Sequence, residues 1–375
     1  MSGAAGSLRV AAIMDTAILS GPARQLTEVA RALESTGVHI TVITFQRRGR
    51  TPSPFPAHLE QAGVECIVIP ERGTTDVGVL SRLKATLDVL NPHIVQTHSY
   101  RPAALVTALQ VMRPRRPWIA FFHGATAENK KVRFYNWLDR RLVRFADRVV
   151  VMSRAEVERL RRLGNRVRLL HNAVITKPAT QELDASLLPD YVSHPVLGVI
   201  GRLSSEKGID VLLRAVRLLR DRGVACSLVV AGDGPEHGTL VQLTEELGLS
   251  SSVHFLGVVH PIVALYPRLD VVVISSHTEG LPNVLLEALG ADRPVVATRV
   301  GAIPEVLTDP DAGELVDPGS PIALADGIGR ILGRLDDARA RAARREAVNA
   351  FSLERRAQAH RALYDDVLRE EASVA

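Results

Sequence analysis

Cysteine is scarce in this chain. Two occur in 375 residues, Cys66 and Cys226, one in each half. A disulfide scaffold is therefore excluded, and a reducing cytosol is the expected compartment. Long apolar runs are missing as well. No stretch approaches the roughly 20 residues that a membrane span needs, so a soluble protein is expected. The N-terminus does not read as a secretory signal, because Arg9 and Asp15 flank a short apolar run that suits a first strand. No His and Asp residues cluster with metal-ligand spacing, so no metal is expected. What the chain does have is apolar sequence, 46% of it, beside 23% charged residues, which excludes a disordered chain. Its length suits two domains rather than one core.

Charge is divided unevenly. Residues 1–190 hold 27 Lys and Arg against 16 Asp and Glu, whereas residues 191–375 hold 19 against 25. A basic first half suits an acidic partner such as anionic lipid, a phosphorylated acceptor or nucleic acid. Nucleic acid is set aside, because no recognised motif accompanies the charge.

Short runs rich in Val and Ile punctuate the first half at 9–14, 39–45, 64–70, 93–98, 118–124, 148–153 and 167–170. Nearly unbroken apolar runs of this length read as strands buried on both faces. Amphipathic stretches such as 23–35 and 77–90 lie between them, and the alternation implies a parallel sheet with helices on both faces. The second half repeats the scheme at 196–203, 226–232, 253–257, 271–276 and 294–298. Helical segments at 321–350 and 352–370 close the chain. The expected organisation is an α/β chain of two Rossmann-like, doubly wound domains facing a cleft: a first domain over 1–173, a linker over 174–192, a second domain over 193–351, and a final helix over 352–375. Ligands of such sheets bind beyond the carboxyl ends of the strands.

Chemistry is concentrated at those ends in the second half. Gly201-Arg202-Leu203-Ser204-Ser205-Glu206-Lys207-Gly208 follows one strand, and its two cations could clamp a diphosphate, Arg202 by its fork and Lys207 as a point charge. The bland alternative is a solvated loop with incidental charges. Gly232-Asp233-Gly234-Pro235 follows the next strand and permits a tight turn. Ser275 to Leu289 is the most informative stretch. Pro282 is expected near the first helical position, which turns the N–H groups of Leu281, Asn283 and Val284 toward an anion. Glu279 precedes that helix and Glu287 lies about one and a half turns inside it, so the two carboxylates could hold different parts of one long ligand. Alternatively Glu279 caps the helix and Glu287 lies on the surface.

These segments, with Phe255-Leu256-Gly257 before the Glu279/Glu287 stretch and Pro294 to Thr298 and Gly301-Ala302-Ile303-Pro304-Glu305 after it, resemble the nucleotide-sugar domain of the retaining family-four glycosyltransferases, which have the two-domain GT-B fold. The first half matches more loosely through Gly21, His98, the Phe121-Phe122-His123-Gly124 strand end and residues 147–153. The resemblance implies that Arg202 and Lys207 bind the donor diphosphate, Glu287 the ribose hydroxyls and Glu279 the donor sugar. It further implies that Gly201, Gly232 and the backbone of Gly280, Leu281, Pro282 and Asn283 line the donor site, that His123 stands near sugar and acceptor, that the first domain binds the acceptor and the second the donor, and that the 352–375 helix returns to the first domain. Catalysis is thus expected from Arg202, Lys207, Glu279 and His123. The family carries out transfer from a nucleoside-diphosphate sugar with retention and without a metal or other cofactor, and the Glu-Gly-Leu-Pro-Asn wording favours UDP. A hexose or N-acetylhexosamine is the expected cargo, for a polysaccharide or glycolipid. Many relatives have two adjacent glycines where this chain has Ser20-Gly21-Pro22, which puts the donor contacts of Gly21 in question. The competing readings are a nucleotide-sugar epimerase on the same fold and a donor-binding scaffold without turnover.

Residues 130–148 stand apart. Lys130, Lys131, Arg133, Arg140, Arg141, Arg144 and Arg148 are interleaved with Phe134, Trp137, Leu138, Leu142 and Phe145 at helical spacing. One reading is an interfacial helix drawn to an anionic membrane surface, which would make the protein peripheral on the inner face of the cell membrane. The other is a core-packed helix with a basic outer face. His98 and His171 end strands; His98 could approach substrate or serve as a hydrogen-bonded structural histidine, and a structural role is favoured for His171 and Asn172.

Overall fold

A computed structural model describes residues 7–73, 76–110, 116–123, 130–175, 194–335 and 337–374. The chain divides into two compact units. One comprises 1–125, 131–173 and 353–375; the other comprises 126–130 and 174–352.

The first unit is built on seven parallel strands: β1 (Leu8–Met14), β2 (Val38–Arg47), β3 (Cys66–Glu71), β4 (Ile94–His98), β5 (Trp118–Phe122), β6 (Arg148–Val151) and β7 (Val167–Leu169), in the order β3-β2-β1-β4-β5-β6-β7. The order reverses between β1 and β4, which places a crevice beyond their carboxyl ends. β4 and β5 are buried along their whole length; β5 is apolar throughout, whereas β4 ends in the buried polar residues Gln96, Thr97 and His98. Trp118 is fully buried, and its indole N–H donates to Thr97 Oγ1 at 2.9 Å. The helix Gly21–Glu34 starts at Ser20, whose hydroxyl accepts from the Ala23 N–H. The last helix, Leu353–Val374, packs against it and belongs to this unit.

The second unit has six parallel strands: β8 (Val196–Ile200), β9 (Ser227–Ala231), β10 (Val253–Gly257), β11 (Val271–Ile274), β12 (Val295–Thr298) and β13 (Glu314–Val316), in the order β10-β9-β8-β11-β12-β13. Here the reversal falls between β8 and β11. Leu212, Leu213, Leu228, Val230 and Val271 are fully buried members of its core.

Several expectations need correction. β8, β9 and β11 stop at Ile200, Ala231 and Ile274, so Gly201, Arg202, Gly232 and Ser276 lie in loops. Residues 321–350 form two helices, Pro321–Leu332 and Ala338–Ala350. The first ends at Gly333, and the second begins at Asp337, whose carboxylate accepts from the Arg339 N–H at 2.8 Å. β13 had no counterpart in the sequence reading, because three residues beginning with Glu314 give no apolar run. Of the 174–192 linker only Val174 and Ile175 are described; Val174 N–H donates to Phe351 O at 2.8 Å. Gly124 also lies outside the described residues.

Candidate active site

The loop after β8 closes against the loop after β11. Gly208 has φ +57°, and a Cβ there would meet Ser275 O at 2.4 Å, so only glycine allows this approach. Ser275 Oγ donates to Lys207 O at 2.8 Å, and His277 N–H donates to Glu206 O at 2.7 Å. The loop after β9 is seated on the same scaffold: a Cβ at Gly232 would lie 1.8 Å from Gly201 O. Gly201 and Gly232 thus pack backbone on backbone at the reversal of strand order.

This stitching brings Lys207 to Glu279. Lys207 Nζ lies 2.6 Å from Glu279 Oε1, and Ser276 Oγ donates to the same oxygen at 2.7 Å. The carboxylate is buried and the ammonium partly so. Arg202, exposed at the end of β8, lines one hollow with Gly201, Lys207, Ser276, Glu279 and Pro282. The helix Asn283–Gly290 begins beside it. Pro282 stands at the helix start, as the residue before its first turn and in extended conformation; the helix's opening N–H groups start at Asn283. The Gly280 loop is braced from the β12 side, where Ala302 N–H donates to Gly280 O at 2.7 Å.

Glu287 does not line that hollow. It lies one turn into the helix, where Tyr266 donates its hydroxyl to Glu287 Oε2 at 2.6 Å. Tyr266 is fully buried. Neither Tyr266 nor Ser276 was singled out from the sequence. Ser276 is adjacent to a recognised motif, but nothing in the spacing ties position 266 to 287.

Gly21 and His123 belong to the first unit. Gly21 opens its helix just after the Ser20 cap. His123 follows β5, with Nε2 2.8 Å from Nδ1 of His98, which is buried at the end of neighbouring β4. Burial, reinforced by the Arg356 guanidinium, brings His123 down to about 4. Burial drives His98 well below the ordinary histidine value, helped by His123, His360 and Arg356. Both rings are neutral at pH 7. The His171 backbone carbonyl accepts from Arg356.

The 130–148 segment is not one helix. A helix over Lys130–Leu142 runs into a short 3-10 turn, and Arg148 begins β6. Arg148 is buried against Asp366 and Glu370 of the last helix, so it is not a cation offered to lipid. Trp137 and Phe145, at 51% and 62% exposure, are not core residues either, and Arg141 stacks on Trp137 at 5.1 Å. The side chains of Lys130, Lys131, Arg133 and Phe134 lie outside the described residues. Among the described residues no helix is long and apolar enough to cross a membrane.

Residues 194–334 match the family described as Glycosyl transferases group 1, and residues 20–173 match the Glycosyl transferase 4-like domain. The chain is 40% identical over 151 residues to the D-inositol 3-phosphate glycosyltransferase of Corynebacterium jeikeium (strain K411), covering 38% of this chain and 36% of that protein. It spans about a third to a half of the length of the first curated relatives that it matches. The similarity to the N-acetyl-alpha-D-glucosaminyl L-malate synthase of Bacillus anthracis is lower, 25% over 363 residues, but covers 92% of this chain and 93% of that protein. Among solved structures, Anabaena Alr3699/HepE in complex with UDP superposes with a TM-score of 0.77 at 20% identity, over 96% of this chain and 100% of that one. At that identity the likeness is one of fold.

Proposed function

Because the chain belongs to the group 1, family 4 glycosyltransferases and has their two-domain GT-B fold, we propose that it transfers a hexose or N-acetylhexosamine from a nucleoside-diphosphate sugar to an acceptor hydroxyl, with retention of configuration. The observation that carries this reading is the Lys207–Glu279–Ser276 cluster beside Arg202 at the reversal of the second sheet. Lys207 has three N–H donors. One is spent on Glu279, which leaves the others for phosphate oxygens. Arg202 supplies a planar fork, and the opening N–H groups of the Asn283–Gly290 helix add the positive end of its dipole. In this reading cationic side chains neutralise the diphosphate with no metal or other cofactor. Lys207 and Ser276 both engage Oε1 of Glu279, which turns the second carboxylate oxygen to a hydroxyl of the donor sugar. Glu287, steadied by Tyr266, takes the ribose hydroxyls.

The chemistry then balances simply. The bond between the sugar C1 and the phosphate oxygen breaks, and its electron pair stays on phosphate, where Arg202 and Lys207 stabilise the growing charge. The acceptor oxygen bonds to C1 on the same face, and its proton passes to the leaving phosphate. His123 and Gly21 are assigned to the sugar and the donor phosphate. UDP is favoured because the Anabaena relative is solved with it. The positive surplus of residues 1–190 favours an acceptor that carries negative charge, a small molecule or a lipid.

Thermal unfolding with UDP, GDP and ADP tests the reading, since a ligand of the native state raises the midpoint. A rise with UDP that Glu287→Ala abolishes is expected, together with a loss of turnover in Lys207→Ala worth about 2–4 kcal/mol. No rise with any of the three nucleotides would overturn the donor site.

A further inference from the structure

A buried hydrogen-bonded chain runs from His123 to the last helix. Gln96 and His98 alternate on β4 and so face the same side of the sheet. Gln96 Nε2 lies 3.2 Å from His98 Nε2, and His98 Nδ1 lies 2.8 Å from His123 Nε2. At the far end the Tyr364 hydroxyl donates to Gln96 Oε1 at 2.7 Å. Gln96, His98 and Tyr364 are buried. Phe121 stacks on His98 at 4.8 Å and on His360 of the last helix at 5.4 Å, which fixes the ring planes.

The chain has a direction. An amide offers one accepting oxygen and one donating nitrogen. With Tyr364 on the oxygen, the nitrogen must donate to His98 Nε2, which is therefore bare. A neutral imidazole with a bare Nε2 carries its proton on Nδ1. His98 thus donates to His123 Nε2, and the proton of His123 sits on Nδ1. That Nδ1 is buried and has no hydrogen-bond partner among the described residues.

We propose that Tyr364, Gln96 and His98 are positioning residues that lock His123 in the Nδ1–H tautomer, so that it meets its ligand as a hydrogen-bond donor and selects an accepting oxygen of the transferred sugar. The role of the oxygen rests on the glycosyl-transfer reading above; the tautomer does not. The reverse orientation of the Gln96 amide would reverse every donor in the chain and leave His123 with a bare Nδ1.

The test is the histidine nitrogen spectrum of the full chain, labelled with ¹⁵N-histidine, at neutral pH and without substrate, the His123 signals being assigned by their loss in His123→Asn. A protonated Nδ1 and a bare Nε2 are expected. An Nε2–H tautomer or an imidazolium overturns the proposal. Tyr364→Phe frees the Gln96 amide. It should mix the two His123 tautomers and lower kcat about ten-fold while the UDP-induced rise in midpoint stays as in the wild type. An unchanged spectrum in that variant also overturns the proposal. Should Tyr364→Phe not fold, Gln96→Glu answers the same question: a carboxylate accepts on both sides, which should force His98 to donate from Nε2 and move the His123 proton to Nε2. Retention of Nδ1–H there counts against the relay. Loss of the UDP response in wild type, with the expected tautomer intact, would instead fault the transferase reading.

Discussion

Tyr266 holds one carboxylate of the candidate site and Ser276 the other, each through a single hydroxyl. A buried hydroxyl bonded to a carboxylate contributes about 1.5–3 kcal/mol, as hydrogen bonds to charged groups do. Tyr266→Phe keeps the ring and removes only the donor, so the affinity for UDP should fall about ten-fold, as read by titration calorimetry. An undiminished affinity would mean that Glu287 is placed by other contacts. Arg202, Lys207 and Glu279, which the fold brings to one hollow, stood out in the sequence because each lies in a short loop motif whose spacing survives; Glu287 shared a motif with Glu279 but lies outside that hollow. Tyr266, Tyr364 and Gln96 did not stand out, because folding brings each to a partner that no local spacing names.

Among the elements, twelve strands showed in the sequence through short runs rich in Val and Ile, although β3, β7 and β10 are only partly buried and β4 buries Gln96, Thr97 and His98. β13 did not, being short and starting with a charge. The break between Pro321–Leu332 and Ala338–Ala350 was missed although the composition changes across it, from an apolar helix to one rich in Ala and Arg, and although Gly333 and Asp337 stand at the break. The Lys130–Leu142 helix shows the opposite case, in which the residue types were clear and their use was not. With Trp137, Arg141, Arg144 and Phe145 exposed together, the segment has the composition of a surface that rests on anionic headgroups. We expect the protein to sediment with vesicles containing phosphatidylglycerol at low salt, and less so at 0.5 M salt, where screening is stronger. Joint Trp137→Ala and Phe145→Ala should abolish the sedimentation. Equal recovery with neutral and anionic vesicles would dismiss the charge argument.

At the scale of the whole molecule, the buried histidines set a pH dependence. His98 and His360 lie well below the ordinary histidine value, through burial first and the nearby Arg356 among other charges, and His123 lies at about 4. In the unfolded chain all three titrate near 6.5. Below that pH the unfolded chain binds more protons than the native one, so stability rises with pH across this window and is lost on acidification. Each histidine contributes at most about 1.4 kcal/mol per pH unit. The calorimetric midpoint should therefore fall from pH 7 to pH 5, and His360→Phe, which keeps a ring against Phe121, should flatten the fall. A midpoint level over that range would mean that the rings are not held neutral. The helix that carries His360 has one more consequence. It is the last part of the described chain to leave the ribosome, yet it completes the unit that is translated first. All of the second unit's strands are synthesised in between. Until Tyr364, Asp366 and Glu370 emerge, Gln96 and Arg148 lack the partners that this helix supplies. The nascent chain can thus finish its second unit before its first, an order of completion that inverts the order of translation.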